Sequence, residues 1–105
     1  MQDITDESMV SELLQKEGTV FFFYTPFCQT CKIAERMLQI VSSSKGVESH
    51  IYSCNLNYFP WVAETLKIQS VPALTVIREK GGNKTLFAFE SVVTVDAFLS
   101  EHKFV

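Results

Sequence analysis

Seven consecutive residues, Thr19-Val20-Phe21-Phe22-Phe23-Tyr24-Thr25, set the tightest limit on how this chain folds. They are β-branched or aromatic throughout and show no polar alternation. A strand with one wet face alternates. A strand without alternation has to be covered on both faces, which is the situation of a central strand packed between helices. Pro26 ends the run, because proline cannot donate to a ladder.

The flanking segments supply the covers. Met9, Val10, Leu13 and Leu14 recur at helical spacing, with Thr5 or Asp6 as cap and Gly18 as stop. From Cys28 to about Ser43, Ile33, Ala34, Met37, Leu38 and Val41 repeat the pattern, and Ser42-Ser43-Ser44-Lys45-Gly46 closes it. Val47 to Leu56 reads as a weaker strand. Asn57 is the expected cap of a third helix, with Pro60 in its first turn and Phe59, Val62, Ala63 and Leu66 on one face. Ala73 to Ile77 is a second buried strand, introduced by Val71-Pro72. Lys80-Gly81-Gly82-Asn83 is a hairpin signal, Lys84 to Glu90 the returning strand, and Thr94 the cap of a last helix carrying Val95, Phe98 and Leu99. Gln2 to Ile4 adds a short edge strand. The order (β)-α-β-α-β-α-β-β-α predicts an α/β fold with a mixed four- to five-stranded sheet and helices on both faces. No linker or repeat interrupts residues 1–105, so one domain is expected.

Composition removes several function classes. The chain is 47% apolar and 20% charged, which excludes intrinsic disorder. A net charge of −3 provides no basic surface for phosphate backbones, so no nucleic-acid partner is expected. The longest apolar run, Val20 to Tyr24, falls far short of the ~20 residues of a membrane span, so no membrane association is expected. The polar, acidic start Met1-Gln2-Asp3-Ile4-Thr5-Asp6-Glu7 is the reverse of a secretory n-region. A cytoplasmic monomer is the expectation.

Three cysteines, Cys28, Cys31 and Cys54, are too few and too odd for a secreted disulfide framework. The sequence Cys28-Gln29-Thr30-Cys31 directly follows the buried strand and opens a helix. The first N–H groups of a helix have no internal partner, and the macrodipole adds partial positive charge there. Both favour a thiolate, and cysteines so placed reach pKa values of about 3.5–7.5. Cys28, at or near the N-cap, is the expected nucleophile. Cys31, one turn in, is the expected resolving thiol. Two intervening residues let the sulfurs meet as a redox disulfide. Cys28 would attack a target disulfide, and Cys31 would then attack Cys28 and release the reduced target.

The rival reading is a zinc site, with Cys54, His50 and His102 as further donors. In a strand over 47–56, His50 and Cys54 stand roughly 13 Å apart and cannot share one zinc. No metal is therefore assigned. Cys54 reads as a buried apolar residue. Phe59 and Trp61 read as packing of a helix entry, His50 and His102 as surface residues, and Lys32 as a solvated charge near enough to favour the Cys28 thiolate slightly.

At this point the sequence resembles the thioredoxin family. Phe21 to Lys32 is similar to that family's strand-to-active-site segment. Lys67-Ile68-Gln69-Ser70-Val71-Pro72-Ala73-Leu74 is similar to its cis-proline loop, and Lys80-Gly81-Gly82 to its usual hairpin. The resemblance runs from about Ile4 to Leu99. It implies a thioredoxin fold, a cis Pro72 facing the cysteines, and a Val71 backbone that pairs with an extended substrate. Phe27 stands where the family has Trp and joins the same substrate-binding rim. The implied activity is reduction of protein disulfides, with no bound cofactor. Disulfide-containing proteins would be substrates, and a flavoprotein of the thioredoxin-reductase kind would supply electrons. Two departures bear on that activity. Gln29-Thr30 replaces Gly-Pro, and Phe22 occupies the place of a buried Asp that helps deprotonate the second cysteine. They keep open two alternatives: a thioredoxin-fold binding module with a regulatory or vestigial pair, and a disulfide oxidase or isomerase.

Overall fold

A computed structural model describes residues 1–79 and 82–102. The continuous apolar run forms strand β2 (Val20–Tyr24), the middle of a five-stranded sheet ordered β1-β3-β2-β4-β5. Strands β1 (Gln2–Asp3) and β3 (Ile51–Asn55) lie parallel to it on one side. Strands β4 (Ala73–Val76) and β5 (Lys84–Leu86) are antiparallel on the other. Helices α1 (Glu7–Leu14), α2 (Gln29–Lys45), α3 (Pro60–Leu66) and α4 (Val92–Glu101) complete the order read from the sequence.

The period-two geometry of β2 divides the core. Val20 and Phe22 point to one face, with Leu74 and Val76 of β4, and meet Ala34, Leu38 and Val41 of α2 and Val95, Phe98 and Leu99 of α4. Phe21 and Phe23 point to the other, with Cys54 and Ala73, and meet Val10 and Leu13 of α1 and Val62 of α3. Val20, Phe21, Phe22 and Phe23 are all essentially inaccessible, which explains the missing alternation. Fully burying one such side chain contributes about 1.5–3 kcal/mol. Thr75, polar and buried in β4, is satisfied by the hydroxyl of its register partner Thr85 at 2.8 Å.

Several boundaries differ from the sequence reading, each for a local reason. The strand expected over 47–56 begins only at Ile51, because Glu48–His50 form a 3₁₀ turn. Helix α3 is capped at Phe59, with Pro60 at its first position, and not at Asn57. The N–H of Asn57 is instead taken by the Asn55 side chain at 2.9 Å, closing a turn. Helix α4 is capped by Ser91, whose hydroxyl accepts from the Thr94 N–H at 3.4 Å, so Thr94 lies inside the helix. The returning strand stops at Leu86, and Glu90, at a φ of 56°, turns the chain into α4. Lys80 and Gly81 of the hairpin signal lie outside the described residues. At its far side Asn83 accepts the Arg78 N–H at 2.8 Å. Among the described residues no helix is long and apolar enough to cross a membrane.

Candidate active site

The sheet topology gathers the two sequence landmarks at one end. The chain leaves β2 after Tyr24, and antiparallel β4 enters the sheet beside it, with Ala73 in register with Phe23. The ends of β2 and β3 and the start of β4 therefore share one edge, the usual site of chemistry in such sheets. Val71 and Pro72, just before β4, reach that edge through a cis peptide bond. Leu56, just after β3, donates its N–H to the Tyr24 carbonyl at 3.0 Å.

Thr25, Pro26 and Phe27 turn the chain from β2 into α2. The Cys28 N–H donates to the Thr25 carbonyl at 3.3 Å, closing the turn. Cys28 is the N-cap of α2 in extended conformation (φ −94°, ψ 105°), and its Sγ accepts the Cys31 N–H at 3.1 Å. Sulfur thus takes the capping role that oxygen normally fills. The Thr30 hydroxyl lies 3.2 Å from the same sulfur. No acidic residue occupies the first turn of α2, so nothing there offsets the positive end of the helix. Cys28 and Cys31 form a disulfide with Cα atoms 5.2 Å apart. Cys28 is half-buried, whereas Cys31 is 3% exposed. The two thiols therefore differ in access as the sequence predicts.

Two concavities flank the pair. One, of about 390 Å³, runs between α2 and the β5–α4 connection and is walled by Thr30, Ile33, Met37, Pro72, Phe87 and Phe89, with Glu90 at its margin. The other, of about 160 Å³, is walled by Phe22, Tyr24, Cys28, Cys31, Lys32 and Glu35. Phe27 stands 96% exposed, away from both linings. Burial, with smaller contributions from the negative charges of Asp3 and Glu35, pushes the Tyr24 phenol above its ordinary range. Sequence reasoning missed Glu35, Ile33, Met37, Phe87 and Phe89 as site residues. Glu35 was detectable as the fourth residue after Cys31 on one helix face. Phe87 and Phe89 carry no such signal, since their alternation is that of a strand whereas the ladder ends at Leu86.

Cys54 is fully buried on the opposite face of the sheet, among Phe21, Phe23, Phe59 and Val62. Burial pushes its thiol up to about 12. It takes no part in the site. Trp61 packs on the same cluster and donates from Nε1 to the Glu7 carboxylate at 3.1 Å. Both histidines are half-buried and not exposed, His102 against the Phe98 ring at 4.8 Å. Among the described residues no three metal-binding side chains come together.

A mixed sheet with a cysteine pair opening the helix after its central strand defines a thiol–disulfide oxidoreductase domain. The sequence profile described as Thioredoxin matches residues 1–100, and the chain belongs to the thioredoxin family. It is 37% identical over 81 residues to the thioredoxin-like protein YusE of Bacillus subtilis (strain 168), covering 75% of this chain and 74% of that one. It is 26% identical over 97 residues to thioredoxin domain-containing protein 9 of Mus musculus, covering 92% of this chain and 42% of that protein. The chain thus spans less than half of the latter relative. The thioredoxin of Malassezia sympodialis superposes with a TM-score of 0.78 at 15% identity, over 96% of this chain and 91% of that one, which establishes the thioredoxin fold.

Proposed function

We propose that the protein reduces disulfides in other proteins through a Cys28/Cys31 dithiol–disulfide cycle. The supporting observation is the asymmetry of the pair. The Cys28 sulfur caps α2 within reach of solvent, and Cys31 lies beneath it, buried and one turn away. Cys28 is the nucleophile, because helix N-terminal N–H groups favour its thiolate. Cys31 resolves the mixed disulfide. Pro72 lines the groove in which an extended target segment would lie, the Val71 backbone beside it would pair with that segment, and Phe27, 96% exposed, would add apolar contact outside the groove. Disulfide-containing proteins are the substrate class, and a flavoprotein reductase returns electrons to the oxidised pair. The setting is a reducing compartment, the cytoplasm, and no bound cofactor enters the cycle.

Two assays test this reading. In an insulin-reduction turbidity assay with dithiothreitol, the protein accelerates precipitation above the reagent blank. A rate equal to the blank sinks the proposal. In a Cys31→Ser variant, Cys28 accumulates mixed disulfides with target proteins. Equal trapping by Cys28→Ser reverses the two roles.

A second reading rests on Phe22, which is 1% exposed and puts aromatic carbon beneath the pair. With no acid on that strand, a binding module with a vestigial pair is the alternative. It predicts target binding that survives replacement of both cysteines.

A further inference from the structure

If the exchange reading holds, Cys31 faces a chemical problem. A thiol attacks only as its thiolate, so Cys31 must lose a proton as it attacks the Cys28 sulfur. Cys31 is 3% exposed, and strand β2 brings Phe22 and Tyr24 to its cavity and no carboxylate. The titratable and charged groups facing its cavity are Cys28, Lys32 and Glu35 from α2 and Tyr24 from β2. Tyr24 in turn feels Asp3, Tyr58 and Cys54 as well as Glu35. At neutral pH a lysine and a tyrosine both hold their protons, and a carboxylate is the ordinary base. Glu35 follows Cys31 by four residues, one turn along the same helix face, where Cβ atoms stand about 5–6 Å apart. Side chains so spaced are neighbours, and one water in the shared cavity can bridge the carboxylate and the thiol. A cavity of about 160 Å³ accommodates water with ease, since one molecule needs roughly 10–15 Å³.

We propose that Glu35 is the proton acceptor for Cys31, acting through water in this cavity. Cys28 is bonded to the target sulfur, Cys31 carries its proton, and Glu35 is ionised. The proton passes from Cys31 Sγ through water to the Glu35 carboxylate. The Cys31 thiolate attacks Cys28 Sγ, the bond from Cys28 to the target breaks, and the electron pair leaves on the target sulfur. Glu35 then returns the proton to the target thiolate. The target disulfide has gained two electrons and the Cys28–Cys31 pair has lost them. The acid–base group thus sits on the helix carrying the cysteines, and β2 contributes no carboxylate.

Rapid mixing of the reduced protein with a stoichiometric amount of the chromogenic disulfide of thionitrobenzoate separates the two half-steps. The first equivalent of thionitrobenzoate reports attack by Cys28, and the second reports resolution by Cys31. Glu35→Gln keeps the first rate and slows the second at pH 7 by about ten- to a hundredfold, at or below the low end for a positioned base because bulk water also reaches the cavity. The deficit narrows as pH rises, because hydroxide increasingly takes the proton that the missing carboxylate would accept. Glu35→Asp, which keeps the carboxylate, restores part of the loss. A second phase in Glu35→Gln with the wild-type rate and pH profile overturns the proposal and leaves the exchange reading standing. Equal slowing of both phases also overturns it, since that marks a structural effect. A wild-type protein that releases only one equivalent overturns the exchange reading, and the role of Glu35 with it.

Discussion

Burial pushes the Cys54 thiol up to about 12, and that shift fixes both how slowly it reacts and how it couples to folding. At pH 8 a thiol titrating near 8.5 is about one-quarter thiolate, whereas one titrating near 12 is about one part in ten thousand. Ionisation alone therefore slows alkylation of Cys54 by about three orders of magnitude, before its complete inaccessibility is considered. In the reduced native protein, iodoacetamide followed by mass spectrometry should show one fast addition, at Cys28, and a slower one at Cys31, which is only 3% exposed. The third should become fast only in denaturant. The linkage has a definite sign. The folded state holds the Cys54 proton more tightly than the unfolded state does. The corresponding stability is fully present below the unfolded thiol's range, about pH 8.5, and is lost as pH rises towards 12. Tyr24, also raised, acts in the same direction, so the comparison is between wild type and Cys54→Ala by urea denaturation at several pH values. Cys54→Ala should lose stability less steeply above pH 9. The reasoning fails if the two proteins lose stability in parallel, or if native Cys54 is alkylated as fast as Cys28.

Three further outcomes follow from local geometry. The Asp6 carboxyl is held below the usual range by hydrogen bonds from the Ser8 hydroxyl and the Met9 N–H. Its help to α1 is present above the unfolded carboxylate range and lost as pH falls through the lower folded value, so Asp6→Ala should lower the Tm at pH 7 and not at pH 2. Gly46 ends α2 in the left-handed region at a φ of 69°, with open space where a Cβ would sit. Gly46→Ala should then cost about 1–2 kcal/mol from backbone strain alone, read by urea denaturation. Tyr24 should titrate above the range of free tyrosine in ultraviolet absorbance. Glu35→Gln should return it only part of the way, because burial is the larger cause.

The features legible in the sequence were those governed by strong local rules. The run Val20 to Tyr24 could only be a doubly covered strand, and a cysteine pair between it and an amphipathic run could only open the next helix. The features that were not legible depended on long-range packing. Phe87 and Phe89 alternate like a strand, but β4 is only four residues long and β5 pairs with three of them. By that register Phe87 falls opposite Ala73, the first residue of β4, and the next position is Pro72, which has no N–H to give a ladder; the chain instead crosses to the groove beside Pro72. Asn57 and Thr94 are good caps by residue type. They lost to Pro60, which fits a first helical position without needing an N–H, and to Ser91, whose hydroxyl reaches the helix three residues earlier. Nothing in the sequence sets Glu35 apart from other helix charges, because its distinction is the cavity it shares with Cys31.

That cavity also distinguishes two residues that a stability argument treats alike. Phe22 and Phe23 are neighbours in β2, and both are essentially inaccessible. Phe22 lies on the α2 face, edge-on to Phe89 with ring centroids 6.1 Å apart, and lines the cavity of Cys31 and Glu35. Phe23 lies on the α1 and α3 face, beside the Cys54 cluster. Replacing either by leucine removes part of a ring from a packed core and should cost about 1–2 kcal/mol. The chemistry should separate them. Phe22→Leu enlarges the space beneath Cys31, admits more water and should alter the rate and pH dependence of the second thionitrobenzoate release. Phe23→Leu should leave that phase unchanged at equal loss of stability. If the two variants shift the resolving step alike, the sheet transmits core packing to the cysteines regardless of face. The assignment of acid–base chemistry to the α2 side would then lose its structural basis.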